Sequence, residues 1–224
     1  MNKFIVATIH PWNISNARKL KERMNNIKII TKKEQLSVEY VKRIDPKYIF
    51  FPHWSWHIPE EIYKNYKCII FHMTDLPFGR GGTPLQNLIV RGKTKTKISA
   101  LRAVNEMDAG PIYLKRPLSL EGSAQEIYQR MAKVIFEEMI PYILRENPLP
   151  RAQRGRVVHF ARRKPEESDL LKTDSIKNVY DYIRMLDATG YPKAFVKSGR
   201  LKIEFSDAVW KQGIITAKAQ IKWQ

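Results

Sequence analysis

The sequence predicts an α/β fold: a mostly parallel sheet flanked by helices, followed by a small C-terminal α+β extension. Two observations predict it. Apolar runs rich in β-branched residues recur at positions 4–9, 27–31, 48–51 and 68–72, and each is continuous, as in strands buried on both faces. Segments of helical period lie between them, and this alternation is the pattern of βαβ units with right-handed crossovers.

Taken in order, Ala17, Leu20 and Met24 give the first helix its apolar stripe, and Leu36, Tyr40, Val41 and Ile44 give the second. Pro59, Glu60 and Glu61 open a third, with proline early and acids in the first turn. Residues 73–82 read as a loop. Thr83 and Gln86 then read as a capping box for a helix that buries Leu85, Leu88 and Ile89 and stops at Gly92. Strands at 98–104 and 111–118 are joined by a link short enough for an antiparallel hairpin. Ser123 and Glu126 cap a long helix whose Ile127, Met131, Val134, Ile135 and Met139 face inward, and Pro141 bends or ends it. Pro148 and Pro150 place a boundary near residue 150, giving a domain of residues 1–150 and an extension of residues 151–224. The extension holds a strand at 157–161, a helix at 175–187 and two or three short strands between 194 and 223.

Composition narrows the function. With 224 residues, 43% of them hydrophobic, the chain is long enough for one domain with a small appendage. A single cysteine, Cys68, excludes a disulfide framework and a cysteine-based zinc site and points to a reducing compartment. The apolar stretch at 4–9 is too short for a signal peptide or a membrane span, so the expected location is the cytoplasm, with no membrane partner. The net charge of +18 is spread over both parts, a surface that attracts phosphates. The first turn, Thr8-Ile9-His10-Pro11-Trp12, has no glycine and so does not match a nicotinamide or flavin fingerprint. Five histidines without a His-Glu-x-x-His pattern give no expectation of a metal.

The densest segment runs from His72 to Pro84, from the end of a buried strand to a helix start, the edge at which open α/β sheets bind ligands. Its three glycines, Gly79, Gly81 and Gly82, allow backbone amides to approach a ligand closely. His72-x-Thr74-x-Leu76-Pro77, Arg80-Gly81-Gly82-x-Pro84-x-Gln86 and Met107-Asp108-Ala109-Gly110-Pro111 occur in that order, with 36 positions separating His72 from Asp108. This string resembles the folate-dependent formyltransferases, the family of glycinamide ribonucleotide, methionyl-tRNA and sugar N-formyltransferases. Arg162-Arg163-Lys164-Pro165-Glu166, Ile183-Arg184 and the segment from Tyr191 to Phe195 are similar to the C-terminal region of the methionyl-tRNA and sugar branches.

The resemblance implies a Rossmann-like catalytic fold that binds N10-formyltetrahydrofolate as co-substrate. It implies that His72 is the base or oxyanion donor and that Asp108 orients and charges the imidazole. Trp54, Trp56 and Ile58 would meet the folate ring, with Asn105, Glu106 and Met107 of the hairpin on the same cofactor, while Arg80, Gly81 and Gly82 would take the phosphates of the acceptor. The family pattern Asn-x-His is broken, because its asparagine position is Ile70. A replacement donor for the formyl oxygen is then expected, Thr74 first, with Asn87 and Asn105 as the other candidates. Residues 151–224 are too few for the C-terminal barrel of a tRNA-acting member. The expected acceptor is therefore a nucleotide-linked amino sugar, in an enzyme that, like its sugar-modifying relatives, forms a homodimer. Two alternatives stay open: a methionyl-tRNA formyltransferase with a shortened tail, and a non-catalytic nucleotide- or RNA-binding descendant.

Overall fold

The computed structural model describes residues 3–224. Met1 and Asn2, part of the N-terminal segment read for a targeting signal, lie outside the described residues. The elements follow as β1 (Lys3–Ala7), α1 (Pro11–Arg23), β2 (Ile27–Ile30), α2 (Val38–Ile44), β3 (Pro46–Pro52), α3 (Glu60–Asn65), β4 (Cys68–His72), β5 (Phe78–Gly81) and α4 (Pro84–Val90). After them come β6 (Lys95–Arg102), β7 (Ile112–Ser119), α5 (Ala124–Val134), α6 (Ile140–Glu146), β8 (Val158–Phe160), α7 (Ile176–Leu186), β9 (Ala194–Ser198), β10 (Leu201–Lys211) and β11 (Ile214–Trp223). Among the described residues no helix is long and apolar enough to cross a membrane.

The chain divides into two compact units. One runs to Arg80 and adds Thr96–Leu118 and Gln129–His159; the other comprises Gly81–Lys95, Ser119–Tyr128 and Phe160–Gln224.

The first unit is built on a six-stranded sheet of order β2-β1-β3-β4-β6-β7. β1 runs parallel to β2 and β3, and β3 parallel to β4; β6 is antiparallel to β4, with Ile70 opposite Leu101 and His72 opposite Ser99. The apolar runs of β1 and β3 are explained by burial on both faces: Phe4, Ile5, Val6 and Ala7 are all buried, as are Tyr48, Ile49, Phe50 and Phe51, whereas the edge strand β2 exposes Lys28. Each large side chain so buried contributes about 1.5–3 kcal/mol. On one face a core cluster joins Ile5, Ala7, Ile30, Val41, Ile49, Phe51, Ile58, Ile62 and Cys68, with Trp54 and Ile70 packed against it.

The second unit carries a three-stranded antiparallel sheet of order β11-β10-β9. The turn between its two long strands places Gln212 at φ 49° and Gly213 at φ 78°, the doubly left-handed geometry of a tight hairpin. β10 packs on α7, whose strongly one-sided apolar pattern buries Ile183, Met185 and Leu186. Asp181 on the same helix is 4% exposed and accepts from Arg184 Nε at 2.7 Å, while Arg184 Nη1 donates to the carbonyls of Leu120 and Gly122.

Local chemistry departs from expectation in three places. The Ser123–Glu126 capping box forms, with Glu126 N–H donating to Ser123 Oγ and Ser123 N–H to Glu126 Oε2. The one at Thr83 does not. Thr83 sits at φ 43° and its hydroxyl accepts from Arg163 N–H and Asn87 Nδ2, while Gln86 donates to the Met185 carbonyl. Partners distant in the chain, the Arg163 N–H and the Met185 carbonyl, take these two side chains in place of the local cap. Pro141 does not end the helix. It lacks the N–H that would bond back along the turn, and Ile135–Met139 widens into a π turn before the helix resumes as α6. Residues 78–81, read as loop, form β5, a strand too short and glycine-rich to show a period.

Candidate active site

β4 ends at His72, and the hairpin between β6 and β7 carries Asp108. Both side chains are nearly buried, 9% and 10% exposed, with Nδ1 of His72 and Oδ2 of Asp108 3.5 Å apart. Nε2 of His72 lies 2.7 Å from the carbonyl oxygen of Gly79. A carbonyl only accepts, so Nε2 donates, and Nδ1 is the nitrogen turned to the carboxylate. Asp108 stands at φ 54°, in the left-handed region that non-glycine residues seldom occupy. Held there, its carboxylate points back at the strand end instead of out along the hairpin.

The loop after His72 is held by buried polar contacts. Thr74 is fully buried; its hydroxyl donates to Gly79 O at 3.2 Å and its carbonyl accepts from Ser99 Oγ at 2.7 Å. Burial alone would raise the Asp75 carboxyl, but hydrogen bonds from Lys115 and Lys97 hold it below its usual value. Lys115 also donates to Leu76 O.

Several side chains expected to meet a ligand have protein partners. Thr74 is not placed as a donor to a ligand, because its hydroxyl proton is committed inside the loop. Of the other two candidates, Asn87 spends its Nδ2 on the carbonyls of Ala161, Gly82 and Thr83. Asn105 lies exposed at the hairpin, accepting through Oδ1 from Tyr63 OH at 3.5 Å. Arg80 is 9% exposed and its guanidinium is occupied: Nη1 donates to Glu106 Oε1 at 2.8 Å, and Nε and Nη2 donate to Gln153 Oε1. It is not a free phosphate ligand, and Glu106 is its partner. Gly81 and Gly82 belong to the second unit, where they serve packing. A Cβ on Gly81 would stand 2.5 Å from Phe160 O, and one on Gly82 2.8 Å from the Cβ of Arg162. Gln153, which the sequence left in a basic linker, had no motif to signal it.

On the neighbouring strand end, Trp54 meets Phe51 edge-on at 6.1 Å and Trp56 at 4.8 Å, and its buried indole N–H has no hydrogen-bond partner. Trp56 and Met107 are exposed, whereas Ile58 belongs to the core cluster. His10 stacks on Trp12 at 4.5 Å and meets His53 at 4.1 Å. Burial, and then the charge of His10, pushes His53 down to about 3. No group of three or more His, Cys, Asp or Glu side chains suited to a metal occurs among the described residues.

Comparison with known proteins bears on family and fold. Residues 165–222 match the profile of the methionyl-tRNA formyltransferase C-terminal domain. The methionyl-tRNA formyltransferase of Mesoplasma florum is 30% identical over 190 residues, 80% of this chain, and the chain spans 60% of that relative's length. A solved structure described as methionyl-tRNA formyltransferase from Clostridium thermocellum is 51% identical, with a TM-score of 0.98 and full coverage of both chains. A sugar N-formyltransferase structure from a Shewanella species shares the fold, at 13% identity and a TM-score of 0.69 over 100% of this chain and 98% of that one. With the histidine, the aspartate and the glycine-bearing loop in order on this sheet, and a relative this close over its full length, the chain belongs to the folate-dependent formyltransferase family.

Proposed function

We propose that this protein transfers the formyl group of N10-formyltetrahydrofolate to a primary amine, and that the amine is the amino group of methionyl-tRNA. The buried His72–Asp108 pair carries the catalytic part of the reading. The amine nitrogen bonds to the formyl carbon, the formyl oxygen takes up negative charge, and the amine proton leaves to the His72–Asp108 pair. The bond to N10 then breaks as N10 takes a proton, giving the N-formyl amine and tetrahydrofolate. Trp54, partly exposed with its ring 4.8 Å from that of Trp56, offers a flat apolar face that suits a heterocycle. For the oxyanion, Asn105 replaces Thr74 as the donor assigned, since Thr74 and Asn87 spend theirs on protein carbonyls.

Support for the tRNA acceptor comes from the 51% identical relative of that name and from the match of residues 165–222. The nucleotide-linked amino sugar, ranked first on sequence, rests on fold likeness alone, and its expected phosphate ligand, Arg80, is already paired. The test is a formylation assay with N10-formyltetrahydrofolate against methionyl-tRNA, uncharged tRNA and a panel of nucleotide-linked amino sugars. Formyl-methionyl-tRNA as the main product is the expected result. Turnover confined to an amino sugar would overturn the acceptor, and RNA binding without formylation of either would overturn the enzyme.

A further inference from the structure

We propose that Gln153 is a positioning residue for Asp108, acting through its one side-chain amide; the proposal rests on the formyl-transfer reading for its kinetic consequence. Gln153 Nε2 donates to the carbonyls of Asp108, at 2.7 Å, and Gly110, at 2.9 Å. Its Oε1 accepts from Arg80 Nε, at 3.2 Å, and Nη2, at 2.9 Å. A primary amide has two hydrogens and two lone pairs, and all four are used. The orientation is therefore fixed, because a flipped amide would set NH2 against guanidinium N–H groups and oxygen against two carbonyls.

Arg80 in turn donates to Glu106 Oε1 at 2.8 Å, so Glu106, Arg80 and Gln153 form a closed clasp around the turn that bears Asp108. That turn is strained and tightly seated. Asp108 is left-handed, at φ 54°. Gly110 lies so close to β6 that an added Cβ would fall 1.8 Å from Arg102 O. Such a conformation persists only where its surroundings over-determine it, and the two bonds from Gln153 bracket the strained residue. The reward is the carboxylate's place: Oδ2 stands 3.5 Å from His72 Nδ1, at the outer limit of hydrogen-bond reach, so a small relaxation of the turn breaks the pair.

The discriminating variant is Gln153→Glu. Its carboxylate keeps and strengthens the bond to Arg80 but brings oxygen, with no hydrogen, against the two carbonyls. Were Gln153 needed only to hold Arg80, turnover would survive. The variant and Gln153→Met, which loses both sets of bonds, are compared with wild type for kcat, for KM toward folate and acceptor, for Tm, and for hydrogen exchange in a peptide spanning 104–111. The expected result is a kcat lower by at least about tenfold in both, within the roughly hundredfold loss that a misplacement of about 1 Å can produce. Both KM values stay within about twofold, Tm moves by about 2 °C at most in Gln153→Glu, and exchange is faster in that peptide alone. Wild-type kcat and exchange in Gln153→Glu, or a change in KM alone, would overturn the proposal. Should wild-type protein formylate none of the acceptors, the formyl-transfer reading fails. The exchange measurement still decides whether Gln153 holds the turn.

Discussion

His72 faces the Gly79 carbonyl through one ring nitrogen and Asp108 through the other, and the formyl-transfer proposal assigns the two one shared role in moving a proton. Replacing His72 with Ala or Asp108 with Asn is expected to lower kcat about a hundredfold or more, with folate KM within a few-fold, as for groups that act in the transition state. Steady-state kinetics with the preferred acceptor checks this. Ile70→Asn restores the family residue on the same face of β4 as His72, but Ile70 packs against the core cluster. The substitution is expected to leave turnover unchanged or lower and to cost up to about 1 kcal/mol, the low end for setting an amide into an apolar, partly buried position. A sharp gain in turnover would instead show a site waiting for its asparagine. His53 gives a pH signature. It titrates near 6.5 in the unfolded chain and at about 3 when folded. Between those values the unfolded state binds the extra proton, so stability is lost as pH falls below 6.5. The slope rises toward about 1.4 kcal/mol per pH unit as pH falls from 6.5 to about 5, before the carboxylates join. Urea unfolding of His53→Asn, whose side chain tolerates the left-handed backbone at φ 55°, is expected to show a flatter pH dependence over that range.

At the scale of the elements, close approach is what the glycines provide. Gly110→Ala drives a methyl against Arg102 O at 1.8 Å, and is expected to cost about 3 kcal/mol, the top of the usual overpacking range. Gly190 has φ 83° and nothing within 4 Å, so Gly190→Ala pays backbone strain alone, about 1–2 kcal/mol. Chemical denaturation of the pair separates the two causes. α7 depends on a buried charge: Asp181→Ala strips the partner of Arg184, which itself holds the carbonyls of Leu120 and Gly122. The expected loss is about 3–5 kcal/mol, the cost of leaving a buried charge uncompensated. The failed capping box at Thr83 belongs here as well. The sequence spelled a local hydrogen-bonding solution, and backbone groups distant in the chain, the Arg163 N–H and the Met185 carbonyl, took the two side chains instead.

For the whole molecule, the charge of +18 bears on the acceptor. If tRNA is the substrate, its affinity is expected to fall roughly a thousandfold or more between about 50 and about 200 mM salt, through counterion release, while folate affinity changes little. Filter binding and calorimetry across that range check it. The sequence by itself determined the parallel strands of the sheet, because a strand covered on both faces must be apolar throughout and no other element is short, β-branched and continuous. It also determined His72, Asp108 and their family, because a strand end, a glycine-bearing loop and a hairpin at fixed separation are local facts written in residue types. Only the tertiary structure decided what each polar side chain does. Thr74, Arg80 and Gln153 are chemically able to touch a ligand, and the fold turns them instead on Gly79, Glu106 and the carbonyls of the Asp108 turn. A hydrogen bond between residues as far apart in the chain as Arg80 and Gln153 leaves no period or motif in either segment. It exists only once the sheet has brought them together and burial has made an unpaired polar group too costly to keep.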